Sequence, residues 1–214
     1  MQSYSLIVIG LLGSVSASQA SLVITAAYDG PLSGGTPKGV ELYVTSNIPD
    51  LSSYGLGSAN NGGGSDGEEF TFPSVSAVAG SFIYVATEAT QFTNFFGFAP
   101  DHATGAMSIN GDDAIELFQS GVVIDTFGDI NTDGTGQAWE YLDGWAYRKD
   151  DTSAGEFVLA DWTFSGTNVL DSETSNATAA SPVPVGTYSV TAIPEPSTAL
   201  LSGLALFGLV RRKR

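Results

Sequence analysis

Asp129, Asn131, Asp133 and Glu140 are spaced as a calcium loop spaces its ligands. The run Asp129-Ile130-Asn131-Thr132-Asp133-Gly134-Thr135, closing at Glu140, meets every specified position of the pattern D-x-[DN]-x-[DN]-G-x₅-E. Calcium takes about six to eight hard oxygens. Three side chains supply one each, Glu140 can bind through both oxygens, the Thr135 carbonyl can turn inward, and Gly134 permits the sharp bend. Two departures count against metal. The eighth position, usually a branched aliphatic, is Gly136, and the loop leaves a strand instead of a helix. Asp, Asn and Gly also populate ion-free turns for backbone reasons of their own. Both a calcium site and a solvated turn therefore fit this spacing. Asp112-Asp113 and Asp150-Asp151 read as solvated loop acids.

Other chemistries have few carriers. His102 is the single histidine, in the loop Pro100-Asp101-His102-Ala103, and reads as a surface residue. There is no cysteine, so thiol chemistry and disulfides are excluded. No G-x-S-x-G elbow is present, and a Ser-His-Asp set would have to use His102. The chain reads as non-enzymatic. A secreted hydrolase working through paired carboxylates is the enzymatic alternative, although acids are so abundant that no single pair stands out. Trp139, Tyr141, Trp145 and Tyr147 recur at spacing two, which on a strand would line one face with rings. Such a face is either sandwich core or a platform that stacks on sugars. Asn176-Ala177-Thr178 fits a glycosylation sequon, of little meaning in a bacterial setting.

The elements that must position these residues are short strands. Ser21–Tyr28 is apolar and β-branched, with Asp29-Gly30-Pro31 as its stop and Gly34–Pro37 as a turn. Strands follow at Val40–Thr45, Phe70–Phe72 and Phe82–Thr87, with a Gly/Ser/Asn loop at Ser58–Gly67. Glu88–Phe96 places Phe92, Phe95 and Phe96 at helical spacing before Gly97 and predicts one short helix. Ala114–Phe118 and Val122–Phe127 flank a Gly-containing turn and predict a hairpin. Trp145–Arg148 and Trp162–Phe164 are further strands, and Val183–Val190 is expected to return to the sheet after a polar stretch at 166–181. Many short strands and almost no helix indicate an all-β sandwich.

Both ends of the chain read as targeting segments. Leu6–Val15 has signal-peptide length, and Ala17-Ser18-Gln19-Ala20 offers cleavage after Ala20, although no Lys or Arg precedes the apolar run. At the other end, Pro194, Glu195 and Pro196 precede an apolar run at 197–210 and then Arg211, Arg212, Lys213 and Arg214. That run is shorter than the ~20 residues of a comfortable span, a gap that snorkelling and bilayer thinning narrow. Its order resembles the PEP-CTERM sorting signal of exported bacterial proteins. The resemblance implies an exosortase-type protease as partner, a transient anchor in the inner membrane of a Gram-negative bacterium, and transfer to the cell surface or extracellular matrix.

Between the two segments, residues 21–193 hold 22 acids and three cations, Lys38, Arg148 and Lys149, for a net charge of −19. Nucleic acid and anionic membranes are poor partners for such a surface. Residues 191–196 form a linker to the tail. Within the body, Leu22-Val23-Ile24-Thr25, Lys38–Tyr43, Gly111–Phe118 running into Val123–Gly128, and Trp145–Lys149 with Asp161-Trp162 resemble the lamin-tail domain of bacterial proteins. The resemblance spans roughly residues 21–190. It implies an immunoglobulin-like β-sandwich with no shared catalytic residues, and it favours the ion-free reading of the Asp129 loop. The expected role is structural or adhesive, among extracellular polysaccharide or surface proteins. A carbohydrate-binding module is the alternative.

Overall fold

Leu22 to Gly30 are buried without a break, the pattern of a strand covered on both faces. That strand is the middle of the molecule. The computed structural model describes residues 20–191. The signal-peptide segment and the sorting tail, with its apolar run at 197–210, lie outside the described residues.

In chain order the strands are β1 (Leu22–Leu32), β2 (Thr36–Val44), β3 (Tyr54–Ala59), β4 (Phe70–Thr71) and β5 (Phe82–Ala86). Helix α1 (Ala89–Phe96) follows, then β6 (His102–Ala103), β7 (Ala114–Gln119), β8 (Val122–Phe127), β9 (Gly144–Arg148) and β10 (Trp162–Phe164). One sheet runs β10-β9-β1-β2-β5-β6 and the other β4-β3-β7-β8. All pairs are antiparallel except β5 with β6.

The two sheets share one core. Leu22 and Ile24 of β1, Val40, Leu42 and Val44 of β2, Leu56 of β3, Ile115 and Leu117 of β7, and Phe127 of β8 meet in it. The outer face of the larger sheet carries a second core, in which Val23, Ala26, Tyr28 and Tyr147 are covered by Phe92 and Phe95 of α1 and by Leu170, Val183 and Tyr188. A β-bulge at Thr25 makes this possible. The β1–β2 register shifts between Ile24 and Ala26, so residues 22, 24 and 27 face one core while 23, 26 and 28 face the other. An extra residue reverses the side-chain alternation beyond it.

Local signals place α1 and the hairpin. The Glu88 carboxylate caps the helix by accepting from the Gln91 amide at 2.9 Å, and Gly97, at φ 82°, ends it in the left-handed region. Ser120 and Gly121, with φ of 52° and 76°, make the two-residue turn between β7 and β8.

Four expectations are corrected. Strand β1 does not stop at Asp29 but continues to Leu32, because Asp29 pairs across to Lys38 and Gly144; the turn is confined to residues 33–35. The loop expected at Ser58–Gly67 begins later, because Ser58 and Ala59 complete strand β3, whose run Tyr54-Gly55-Leu56-Gly57 carries two glycines. There the glycines serve close packing: a Cβ on Gly57 would lie 2.2 Å from the Gly67 carbonyl. His102 sits in a short strand beside β5. Residues 183–190 form no strand, because their amides bond to side chains instead of to a neighbouring strand. Gly186 N donates to Glu41, Thr187 N and Tyr188 N to the Tyr147 hydroxyl, and Ser189 N to Asp150. Among the described residues no helix is long and apolar enough to cross a membrane.

Candidate functional site

The loop that carries the calcium pattern is built from side-chain turns. Asp129 accepts from the Asn131 amide at 3.0 Å and from the Thr132 hydroxyl at 2.8 Å, and Asp133 accepts from the Thr135 amide at 2.9 Å. Glu140 reaches the Gly136 amide at 2.8 Å. These bonds hold the Asp129 and Asp133 carboxyls below the usual range. The loop is then pinned by its neighbours: Gly134 N donates to the Asp112 carbonyl, Gly64 N to that of Ile130, and the Thr135 hydroxyl to Asp112 Oδ2. Among the described residues no three His, Asp or Glu side chains converge as a metal site requires. The geometry is that of an ordered turn against the loops at 60–64 and 110–113.

The four rings at spacing two do not form one platform, which corrects the strand assumption behind it. The chain between Trp139 and Trp145 is not extended. It turns at Leu142-Asp143, with Asp143 at φ 41°. Trp139 and Tyr141 precede the turn and pack on Phe127 in the inter-sheet core, at 6.1 and 5.3 Å between ring centroids. The Tyr141 hydroxyl donates to the Asp113 carbonyl. Trp145 and Tyr147 lie on β9 and face the second core. Asn176 of the sequon is likewise occupied, its amide group bonding both the carbonyl and the N–H of Val183.

His102 packs against Phe70 and Phe72, at 5.7 and 5.3 Å between ring centroids, and burial lowers its pKa. It lines a shallow pocket with Ser76, Ser81 and Asp101. Asp101 accepts from the Tyr84 amide and Ser81 donates to the Val78 carbonyl. No hydrogen bond among the described residues joins His102 to either.

Sequence reasoning missed the buried ionisable groups. Arg148 Nη2 meets both oxygens of Asp125 at 2.8 and 2.9 Å, its Nε donates to the Ile24 carbonyl, and its guanidinium lies 4.6 Å from the centre of the Trp162 ring. Burial pushes the Asp125 carboxyl up, against the pull of Arg148 and of the Gly155 and Ile24 amides. Glu41 accepts from Thr25, Tyr147 and the Gly186 amide, and burial raises it too. Asp29 lies 3.5 Å from Lys38, and burial lifts it to about 6. Only the strand pattern around them, which leaves acids inside apolar runs, could have signalled burial. Each is used in holding strands or segments together.

An open groove of about 590 Å³ runs beside the Asp129 turn, lined by Thr126, Ile130, Asn131, Trp139, Glu156 and Phe157 among others. In it a ring of the predicted aromatic series and residues of the predicted loop come together.

Comparison with known families matches residues 192–214 to the PEP-CTERM protein-sorting motif. The chain carries a PEP-CTERM sorting signal. This signal includes Pro194, Glu195, Pro196 and the cluster Arg211–Arg214, and it marks an exported protein that an exosortase system sorts and that its C-terminus anchors transiently in the membrane. No curated protein and no solved structure matches the chain.

Proposed function

We propose that this chain is a non-catalytic module of the bacterial cell surface or extracellular matrix, with a structural or adhesive role. The observation that carries the reading is the sorting signal at residues 192–214. It is attached to a body in which the buried acids Asp125, Glu41 and Asp29 are engaged in internal bonds or ion pairs. Perturbed groups ordinarily point to chemistry; here they tie β1 to β2, β8 and β9. The lamin-tail resemblance supports an immunoglobulin-like body, in keeping with two packed sheets and one short helix.

The test is a tail transfer. The native chain, the chain truncated after Ile193, and an unrelated periplasmic protein fused to residues 192–214 are fractionated after expression in a bacterium that has an exosortase. The reading expects the native chain and the fusion at the surface or in the matrix, and the truncated chain elsewhere. A native chain that stays in the cytoplasm contradicts it.

A further inference from the structure

Trp139 is only 6% exposed, yet it lines the groove beside the Asp129 turn. Its Nε1–H has no acceptor among the described residues and is not fully enclosed. A nearly buried indole normally finds an acceptor for this hydrogen. This one is held in place by Phe127 and Phe157, at 6.1 and 6.3 Å between ring centroids. Gly128 and Gly134 make room for it: a Cβ on either would come within 3.0 Å or less of the indole.

The rim carries a second set of unused groups. The Asn131 amide group and the exposed Glu156 carboxylate make no hydrogen bond or ion pair with the described residues, although the Asn131 backbone is fixed by Asp129. Thr126 is fixed from the other side, its N–H donating to the Gly155 carbonyl. The groove therefore offers the Trp139 indole in its lining, a donor and acceptor pair and two carboxylates at its rim, and apolar walls from Phe157 and Ile130. Its volume lies within the range of about 300–1,000 Å³ usual for ligand sites.

We propose that this groove binds a neutral, hydroxyl-rich glycan, with the Trp139 N–H, Asn131 and Glu156 reading sugar hydroxyls and Phe157 meeting an apolar sugar face. Hydroxyls donate to carboxylates and accept from the indole and amide, so every rim group finds a partner. Charge selects against the other common polysaccharides. Asp129 and Glu156 flank the groove in a body of net charge −19, and uronic-acid or sulfated chains would meet like charge there. The site differs from a strand-borne aromatic face: of that series only Trp139 belongs to it.

Affinity electrophoresis of the full-length chain in detergent tests the proposal. The gels contain soluble dextran, mixed-linkage β-glucan, galactomannan or alginate, and Trp fluorescence is titrated in parallel. The expected result is retardation by at least one neutral polysaccharide and none by alginate. Asn131→Ala and Glu156→Ala, both at solvent-facing positions, should each weaken binding about tenfold or more. Trp139→Phe, which keeps a ring and removes the N–H, should weaken it as well. Absence of binding to all three neutral polysaccharides overturns the proposal. So does equal binding of alginate, binding untouched by both rim variants, or displacement by oligolysine at concentrations below those of the glycan. None of these outcomes bears on export, which the tail transfer tests separately.

Discussion

Arg148 and Asp125 illustrate what single residues do in this molecule. The pair joins β8 to β9 and also satisfies both backbone groups of Ile24. Removing one member leaves an uncompensated charge in the interior. Arg148→Met should cost about 3–5 kcal/mol in denaturant unfolding, and adding Asp125→Asn should recover part of it. Asp29 acts in the opposite sense. Burial lifts its carboxyl from 3.8 to about 6, so between those values the folded chain holds a proton that the unfolded chain has released. Stability then falls as pH rises through that window and stays lowered above it. Asp29→Asn should raise the melting midpoint at pH 7 by the equivalent of about 1–3 kcal/mol and flatten the slope between about pH 4 and 6. An unchanged slope would contradict the assignment. For the Asp129 turn, a bound calcium at a hundred times its dissociation constant would add about 2.7 kcal/mol. The geometry instead predicts that melts with calcium and with chelator differ equally in wild type and Asp129→Ala. The turn's residues were legible in the sequence, since Asx chemistry is local. The Asp125–Arg148 pair was not, because its partners on β1 lie more than a hundred residues away.

Helix α1 and the β7–β8 hairpin were legible as elements for the same reason. Glu88, Gly97, Ser120 and Gly121 act within a few residues of themselves. The last segment of the body was not. Val183–Val190 has the apolar content of a strand, but Glu41, Tyr147 and Asp150 take the amides that a strand would give to a neighbour. Such side-chain competition appears only once the sheet has brought those groups together. Tyr147 is the centre of the arrangement, donating to Glu41 and accepting from Thr187 and Tyr188. Tyr147→Phe should leave those amides unsatisfied, at about 1–3 kcal/mol. Hydrogen exchange should then speed up at Gly186–Tyr188 while β7 and β8 keep their protection. Uniform loss of protection would mean that the segment is not separately held. The Thr25 bulge was equally hidden, although it decides which β1 residues serve each core.

At the scale of the whole molecule, the six-stranded sheet is a middle layer, packed by the smaller sheet on one face and by α1 with the closing segment on the other. Asp125 and Glu41 in the interior tie strands together. Thr191, the last described residue, bonds Asp151 through both its amide and its hydroxyl, immediately before the sorting signal. That signal was the most legible feature of the chain, because it is linear and needs no fold to be recognised. Export and sorting by an exosortase system follow from it; the surface or matrix location and the structural or adhesive role are proposed. The most direct test is the intact mass of the chain recovered from the surface of a bacterium that has an exosortase. The account predicts a species that has lost both the leader through Ala20 and the apolar run with Arg211–Arg214. A surface species that retains the whole C-terminus, or a chain found only inside the cell, would contradict it.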